Sequence, residues 1–275
     1  MRDDNTNQVT ILGSGTSTGI PLIGCHCEVC TSLDTRDRRL RSSILIESRR
    51  GKRILIDTST DLREQLLREN VSIIDGCLIT HEHADHTHGI DDLKLVSYHK
   101  GSPINIYTHP KCAQHLTEKF DYIFKTAEVY RNRPLLGSGV PNLNLNPLKD
   151  RKTQIEGEAI EWFPLPHGYT KSISLIHGKL AYVIDCASIP MPWLKRLKEA
   201  KLDVLLLDCV RFCPHHTHLD LELALEYAQF IGAKFTGLTH LGHDFTHQQL
   251  LELLDERGLH NIKPIYDQQK LFYKD

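Results

Sequence analysis

The chain has 275 residues, of which 40% are hydrophobic and 25% charged, and its formal net charge is −2. That balance supports a sizeable core without disulfides and offers no broad surface for a polyanion. The start, MRDDNTNQVT, lacks a signal-peptide core and no run approaches the roughly 20 apolar residues of a membrane span, so a cytoplasmic protein without a membrane partner is expected.

Short apolar runs recur along the chain, and many stop at a group that can do chemistry. VTILGSG (9–15) ends in a glycine turn, RILIDTS (53–59) reaches Asp57, and GCLITHEH (76–83) reaches His81. Further on, LAYVIDC (180–186) reaches Asp185, VLLLDCV (204–210) reaches Asp208, and FTGLTH (235–240) reaches His240. Runs of this length, rich in Val, Ile and Leu, read as buried strands. Helical patterns alternate with them: DLREQLLREN after Asp61 as N-cap, IPMPWLKRLKEAK opening on prolines, LDLELALEYAQFIG closing on Gly232, and THQQLLELLDERG closing on Gly258. Strands alternating with helices imply a layered α/β architecture, with reactive groups gathered along one sheet edge. Residues 126–150, rich in Asn, Pro and Gly, read as a long loop, either a lid over the site or a surface insertion. No repeat or linker divides the chain, so one domain over 1–275 is expected.

Eight cysteines and seventeen histidines stand out. In a reducing compartment, clustered cysteines are metal ligands or catalysts more often than disulfides. Cys77, Cys112, Cys186, Cys209 and Cys213 are scattered and read as small buried hydrophobes. Cys25, Cys27 and Cys30 form C-x-C-x-x-C, three soft donors that leave a tetrahedral structural Zn²⁺ one ligand short. His26 is too close to fold back, and His243 is the candidate for the fourth position. In LITHEHADHTHGI (78–90), His81 and His83 are two apart and point the same way from an extended segment, while Asp85 and His86 turn to a neighbouring point. Imidazole and carboxylate together suit Zn²⁺, Mn²⁺ or Fe²⁺. Glu82, His88 and Asp91 read as loop groups. Asp57 and Asp208 read as groups that orient ligands or cap loops. The loop GSGTSTG lacks the Lys-Ser/Thr ending of a P-loop.

At His-x-His-x-Asp-His the chain resembles the metallo-β-lactamase superfamily, which implies a four-layer αββα sandwich. The resemblance implies three further ligands, His167 in FPLPHGYT, Asp185 bridging, and His240, with His177 in SLIHGK as a rival to His167. One metal then takes His81, His83, His167 and Asp185; the second takes Asp85, His86, His240 and the shared Asp185. With LGSGTSTGIPLIGCHCEVC and HTHLDLELAL added, the chain is similar to the branch that includes the phosphoribosyl cyclic phosphate phosphodiesterases, over a core of residues 8–270. That likeness implies two divalent ions, Zn or Mn, in the active site, a structural Zn on Cys25, Cys27, Cys30 and His243, and a homodimer. It also implies catalytic roles for Asp85 and His218, with His215 and His216 as alternative registers for the latter. The reaction implied is hydrolysis of a small or cyclic phosphodiester by a water bridging the two ions, with His218 protonating the leaving group. Two other readings stand beside it: a transfer-RNA 3′-processing ribonuclease, the one case in which nucleic acid is a partner, and a non-enzymatic carrier of the pyrroloquinoline-quinone B type.

Overall fold

The computed structural model describes residues 5–125 and 139–275. Seven strands form a first sheet: β1 (Asn7–Gly13), β2 (Ser43–Glu47), β3 (Arg53–Ile56), β4 (Gly76–Leu78), β5 (Ile104–Thr108), β6 (Leu143–Pro147) and β14 (Lys270–Tyr273), in the order β14-β1-β2-β3-β4-β5-β6. A second sheet holds β7 (Lys152–Ile155), β8 (Glu158–His167), β9 (Thr170–His177), β10 (Leu180–Val183), β11 (Val204–Asp208), β12 (Phe235–Thr239) and β13 (Ile262–Pro264), in the order β13-β12-β11-β10-β9-β8-β7. Each sheet is parallel on one side, β3 through β6 and β10 through β13, and antiparallel on the other.

The helices are α1 (Leu62–Arg68), α2 (Ala84–Thr87), α3 (Leu93–Lys100), α4 (Pro110–Lys119), α5 (Asp121–Phe124), α6 (Met191–Glu199), α7 (Leu221–Ile231) and α8 (His247–Glu256). Alternation along each strand sorts the core into layers, because successive side chains leave opposite faces. Ile44, Ile46, Ile54 and Ile56 face the second sheet, where they meet Trp162, Leu175, Tyr182 and Leu206. Their neighbours Leu45 and Leu55 face outward under α1, α3 and α4, against Leu62, Leu66, Leu93 and Leu116. On the far side, Leu205, Leu207 and Val183 pack under α6, α7 and α8 through Leu194, Leu225 and Leu250. The result is the helix–sheet–sheet–helix sandwich. Among the described residues, no helix is long and apolar enough to cross a membrane.

The local chemistry differs from expectation at three points. Asp61 makes no cap bond to α1; its carboxylate instead takes the backbone N–H and the guanidinium of Arg41, each at 2.8 Å. Of the long loop expected over 126–150, residues 126–138 lie outside the described residues, and Leu143–Pro147 is a strand pairing with β5. Asn residues there alternate with Leu143 and Leu145 along an edge strand, a place where polar side chains are tolerated. Cys213 is exposed, whereas Cys77, Cys112, Cys186 and Cys209 are buried.

Candidate metal centre

The parallel strands of both sheets point their carboxyl ends at one edge of the sandwich, where open α/β sheets bind ligands. Asp57 follows β3, His81 lies just beyond β4, Asp185 follows β10, Asp208 ends β11, and His240 follows β12. Three of these residues, Asp57, Asp185 and His240, hold left-handed backbone with φ of 65°, 51° and 60°. Such positions cost about 1–3 kcal/mol each and persist where the surroundings impose them. The kink turns each side chain out of the ladder and into the cleft between the sheets. His167 comes from the antiparallel side, at the end of β8 beside the turn at Gly168 and Tyr169. His83 is the residue before α2, and Asp85 and His86 lie within its single turn.

These residues meet. His81, His83 and His167 form one group, His81, His86 and Asp185 a second, Asp85, Asp185 and His240 a third, and His167, Asp185 and His218 a fourth, each with donor atoms within 4.8 Å of one another. Asp185 is in three of the four. His167 Nε2 lies 3.2 Å from His83 Nδ1, and His86 Nε2 lies 3.1 Å from Asp85 Oδ2 and 3.3 Å from Asp185 Oδ2. His240 Nε2 is 3.5 Å from Asp185 Oδ1.

Four of the inward atoms lack hydrogen-bond partners, while the outward nitrogens behind them have theirs. His81 Nε2, His86 Nε2, His240 Nε2 and Asp185 Oδ2 are buried without a hydrogen bond. Behind them, Asp57 Oδ2 accepts from His86 Nδ1 at 2.7 Å, and the Thr217 carbonyl accepts from His167 Nδ1 at 2.8 Å. Thr80 Oγ1 lies 3.1 Å from His81 Nδ1, and Ser42 Oγ lies 3.0 Å from His240 Nδ1. Asp57 is itself held by the Thr80 backbone N–H at 2.7 Å and its hydroxyl at 2.9 Å. A partner at Nδ1 fixes the ring and turns Nε2 inward, which is how ligating histidines are oriented. Stranded polar atoms are costly in a protein interior, and four of them in overlapping groups around Asp185 fit bound cations.

The electrostatics agree with that fit. Burial, then His86, press the His81 pKa well below its usual value, which leaves its lone pair free. Burial also opposes charge on His86, but Asp85, Asp185 and Asp57 outweigh it and hold that pKa well above the ordinary value. Positive charge at His86 is thus favoured by three surrounding carboxylates, of which Asp85 and Asp185 lie on the Nε2 side, where a divalent cation would supply that charge.

His218 stands at the edge of the centre, its ring stacked on that of His240 at 4.7 Å. Its Nδ1 donates to Asp208 Oδ2 at 3.1 Å and is 3.7 Å from Asp185 Oδ1. Burial alone would lower the His218 pKa; Asp208 and then Asp185 outweigh it and push it up to about 9. His215 lies outside it, with ring centroids 5.1 Å apart, and His216 is exposed. The rival His177 is at the far end of β9, paired with Ile160 rather than with the turn. It is bonded to Tyr273 and Glu158 and does not approach the cluster.

The cysteines gather elsewhere. Cys25, Cys27 and Cys30 sit in the loop after β1, with their sulfurs 3.5, 3.5 and 3.7 Å from His243 Nδ1. A tetrahedral zinc with ordinary Zn–S and Zn–N bonds separates S from N by about 3.6 Å, so these four donors fit that ion. A backbone bond from Cys30 holds the Cys27 thiol down at about 6 against the effect of burial, while burial and then the neighbouring thiols push Cys30 up to about 11, so only a cation would bring all three to thiolate together. A buried pair, Arg39 and Asp37 at 2.9 Å, clasps the two loops: Arg39 donates to the Phe245 carbonyl and Asp37 accepts from the His247 N–H at 2.6 Å.

Glu82, His88 and Asp91 take local partners, respectively Thr170, Phe120 and Tyr122. Sequence reasoning missed Ser42, Thr80, the Thr217 carbonyl and the Arg39–Asp37 clasp. Only the clasp left a signal, a charged run beside the cysteines.

The family description "Beta-lactamase superfamily domain" matches residues 52–241. The octanoyltransferase of Porphyromonas gingivalis is 34% identical over 271 residues, 96% of this chain and 53% of that protein. The chain therefore spans about half the length of that relative. Among solved structures, a diphosphatase from the PhnP family is 34% identical with a TM-score of 0.86, covering 98% of each chain. Zn²⁺-bound PqqB from Methylobacterium extorquens superposes with a TM-score of 0.76 at 17% identity over 96% of this chain and 99% of that one, a likeness of fold alone.

Proposed function

We propose, from the premise that the chain belongs to the beta-lactamase superfamily, that it is a hydrolase of small or cyclic phosphodiesters working with two divalent ions, Zn or Mn. The observation that supports this reading is the meeting of orphaned buried donors in overlapping groups that share Asp185. His81, His83, His167 and Asp185 would hold one ion, and Asp85, His86, His240 and Asp185 the other. Such a pair supplies Lewis acidity toward phosphate oxygens and an acidified water. Cys25, Cys27, Cys30 and His243 would hold a structural zinc, and the clip would brace the loop after β12 that carries His240.

The chain's own residues supply the rest. Asp208 holds Nδ1–H of His218, so the ring keeps its orientation and its Nε2 proton is the one available to a leaving oxygen. Asp85, at 8% exposed the more accessible of the two central carboxylates, orients the incoming water. The likeness to a PhnP-family diphosphatase supports phosphorus–oxygen cleavage. The octanoyltransferase name belongs to a protein of which this chain matches about half.

The test is metal quantification with a phosphodiester panel led by bis-p-nitrophenyl phosphate. About three ions per chain and turnover are expected. His218→Ala should slow turnover by about 10²–10⁴-fold with metal content unchanged. About one ion per chain and no turnover would favour the carrier reading, and cleavage of precursor transfer RNA in preference to every small diester would favour the ribonuclease.

A further inference from the structure

The hairpin that delivers His167 also delivers an aromatic ring. Between β8 and β9 the chain turns at Gly168 and Tyr169, with His167 and Thr170 paired across them. Tyr169 is 83% exposed, and no aromatic side chain among the described residues is more so. Its ring centre nevertheless lies 6.0 Å from that of His83, within the range of an aromatic pair.

The turn is pinned on both sides of that ring. Before it, His167 Nδ1 donates to the Thr217 carbonyl at 2.8 Å; after it, the Thr170 hydroxyl donates to Glu82 Oε1 at 2.6 Å. Glu82 is itself held, its carboxylate 3.3 Å from His115 Nδ1 and its backbone carbonyl accepting from Lys119 Nζ at 3.0 Å. Gly168 has a φ of 57°, which a tight hairpin turn favours, and a Cβ there would stand 3.1 Å from the Thr217 methyl. The backbone under Tyr169 therefore has little freedom, and a tyrosine has only two side-chain torsions left to fix on binding.

An exposed tyrosine is ordinarily just surface. This one stands where the centre meets solvent: His81, His86 and His240 are fully buried and His167 nearly so, whereas His83 is half-buried and Ala84 beside it is exposed. Of the five candidate ligand histidines, His83 is the one that solvent reaches, and it is the one beside Tyr169. We infer that Tyr169 is a stacking platform for a planar ring, so that the phosphodiester cleaved at this centre carries an aromatic or heterocyclic group close to phosphorus. The choice of bond cleaved rests on the phosphodiesterase reading above, whereas stacking is measured without turnover.

The experiment pairs binding with kinetics. Calorimetry on the metal-loaded protein compares phenyl phosphate with cyclohexyl phosphate, which carry the same charge and rings of similar size but differ in planarity. Wild type should bind phenyl phosphate about fivefold or more tightly than cyclohexyl phosphate. Tyr169→Phe should keep that preference, because the ring is kept. Tyr169→Leu, which retains apolar cover beside His83, should bring the two ligands within about twofold, with metal content and thermal midpoint unchanged. For bis-p-nitrophenyl phosphate the same variant should raise KM by about fivefold while kcat moves by less than about twofold, the pattern of a lost binding contact. Equal binding by wild type, or a preference that survives in Tyr169→Leu, overturns the platform. Loss of metal or a fall in kcat in that variant makes Tyr169 a support for His83 and overturns it as well. A preference for phenyl phosphate without hydrolysis of any diester removes the phosphodiesterase reading and leaves the platform, and hydrolysis without the preference does the reverse.

Discussion

The clip and the centre are both clusters of metal-type donors, yet the chain assembles them in opposite ways. The clip draws three donors from Cys25–Cys30 and closes with a single distant residue, His243; all four are only partly buried. The centre draws its donors from His81 to His240, from both sheets, and His81, His86 and His240 are fully buried. A local cluster fixes little backbone before its ion arrives. The centre exists only when the carboxyl ends of β4, β8, β10 and β12 have been brought together, and its stranded atoms are then committed to an ion. Metal should therefore matter to the clip as a stabiliser of loops and to the centre as the condition for chemistry.

That contrast breaks most visibly at Asp185, which belongs to the centre alone. Asp185→Ala should lower turnover by at least about a thousandfold and reduce metal from about three ions per chain to about one, the remainder in the clip. A variant that keeps every ion removes Asp185 from the bridging position. Asp57→Ala should act less severely, since Asp57 reaches the ions indirectly, through His86 Nδ1 and, by way of Thr80, through His81. A loss of about 10–100-fold in affinity at the centre, read by competition with a chelator, is expected while the clip keeps its zinc.

The same contrast governs what could be read from the sequence. C-x-C-x-x-C and His-x-His-x-Asp-His are local patterns and stand out unaided. Of the parallel strands, β3, β4, β10, β11 and β12 were legible as well, because each is an apolar run that stops where its side chain turns into the cleft, whereas β5, β6 and β13 carry polar residues or a proline and were not. β8 was not: Pro164 and Pro166 interrupt it, and its antiparallel partner β9 ends at His177, a histidine indistinguishable by spacing from His167. Pairing decides between them, since His167 faces Thr170 across the turn while His177 faces Ile160 at the opposite end of the hairpin. His167, Asp185 and His240 were placed by resemblance, because residues so far apart share no spacing rule. Ser42, Thr80 and the Thr217 carbonyl left no trace, as hydroxyls and carbonyls of their kind occur throughout any chain. α3 and α4 escaped because their polar faces dilute the helical period.

Breaking the clip should give a different signature from breaking the centre. Cys27→Ser is expected to lower the thermal midpoint by roughly 5–10 °C and release about one ion per chain. Per remaining active chain, turnover should stay within about threefold of wild type, since the clip supports the His240 loop without touching substrate. A collapse in activity at unchanged thermal stability would mean that the two clusters are not separable in this way.

The clip side also carries the smallest expected effect, at His247. Its backbone N–H donates to Asp37 at 2.6 Å, and its ring is held neutral, because burial first and then Arg36 and Arg39 lower its pKa to about 4. An unfolded histidine titrates near about 6.5, so between those values the unfolded chain binds the proton that the folded ring refuses. The sign follows: this contribution to stability is complete above the unfolded pKa, declines as pH falls toward about 4, and is absent below it. His247→Gln keeps the helix start and removes the titration. Urea midpoints taken at about pH 7 and about pH 5, with the clip zinc retained in both, should fall less in the variant than in wild type. Equal falls would place the acid sensitivity of this half of the molecule in the cysteine ligands, and the clasp would then be a passive link rather than a second, metal-independent brace on the same loops.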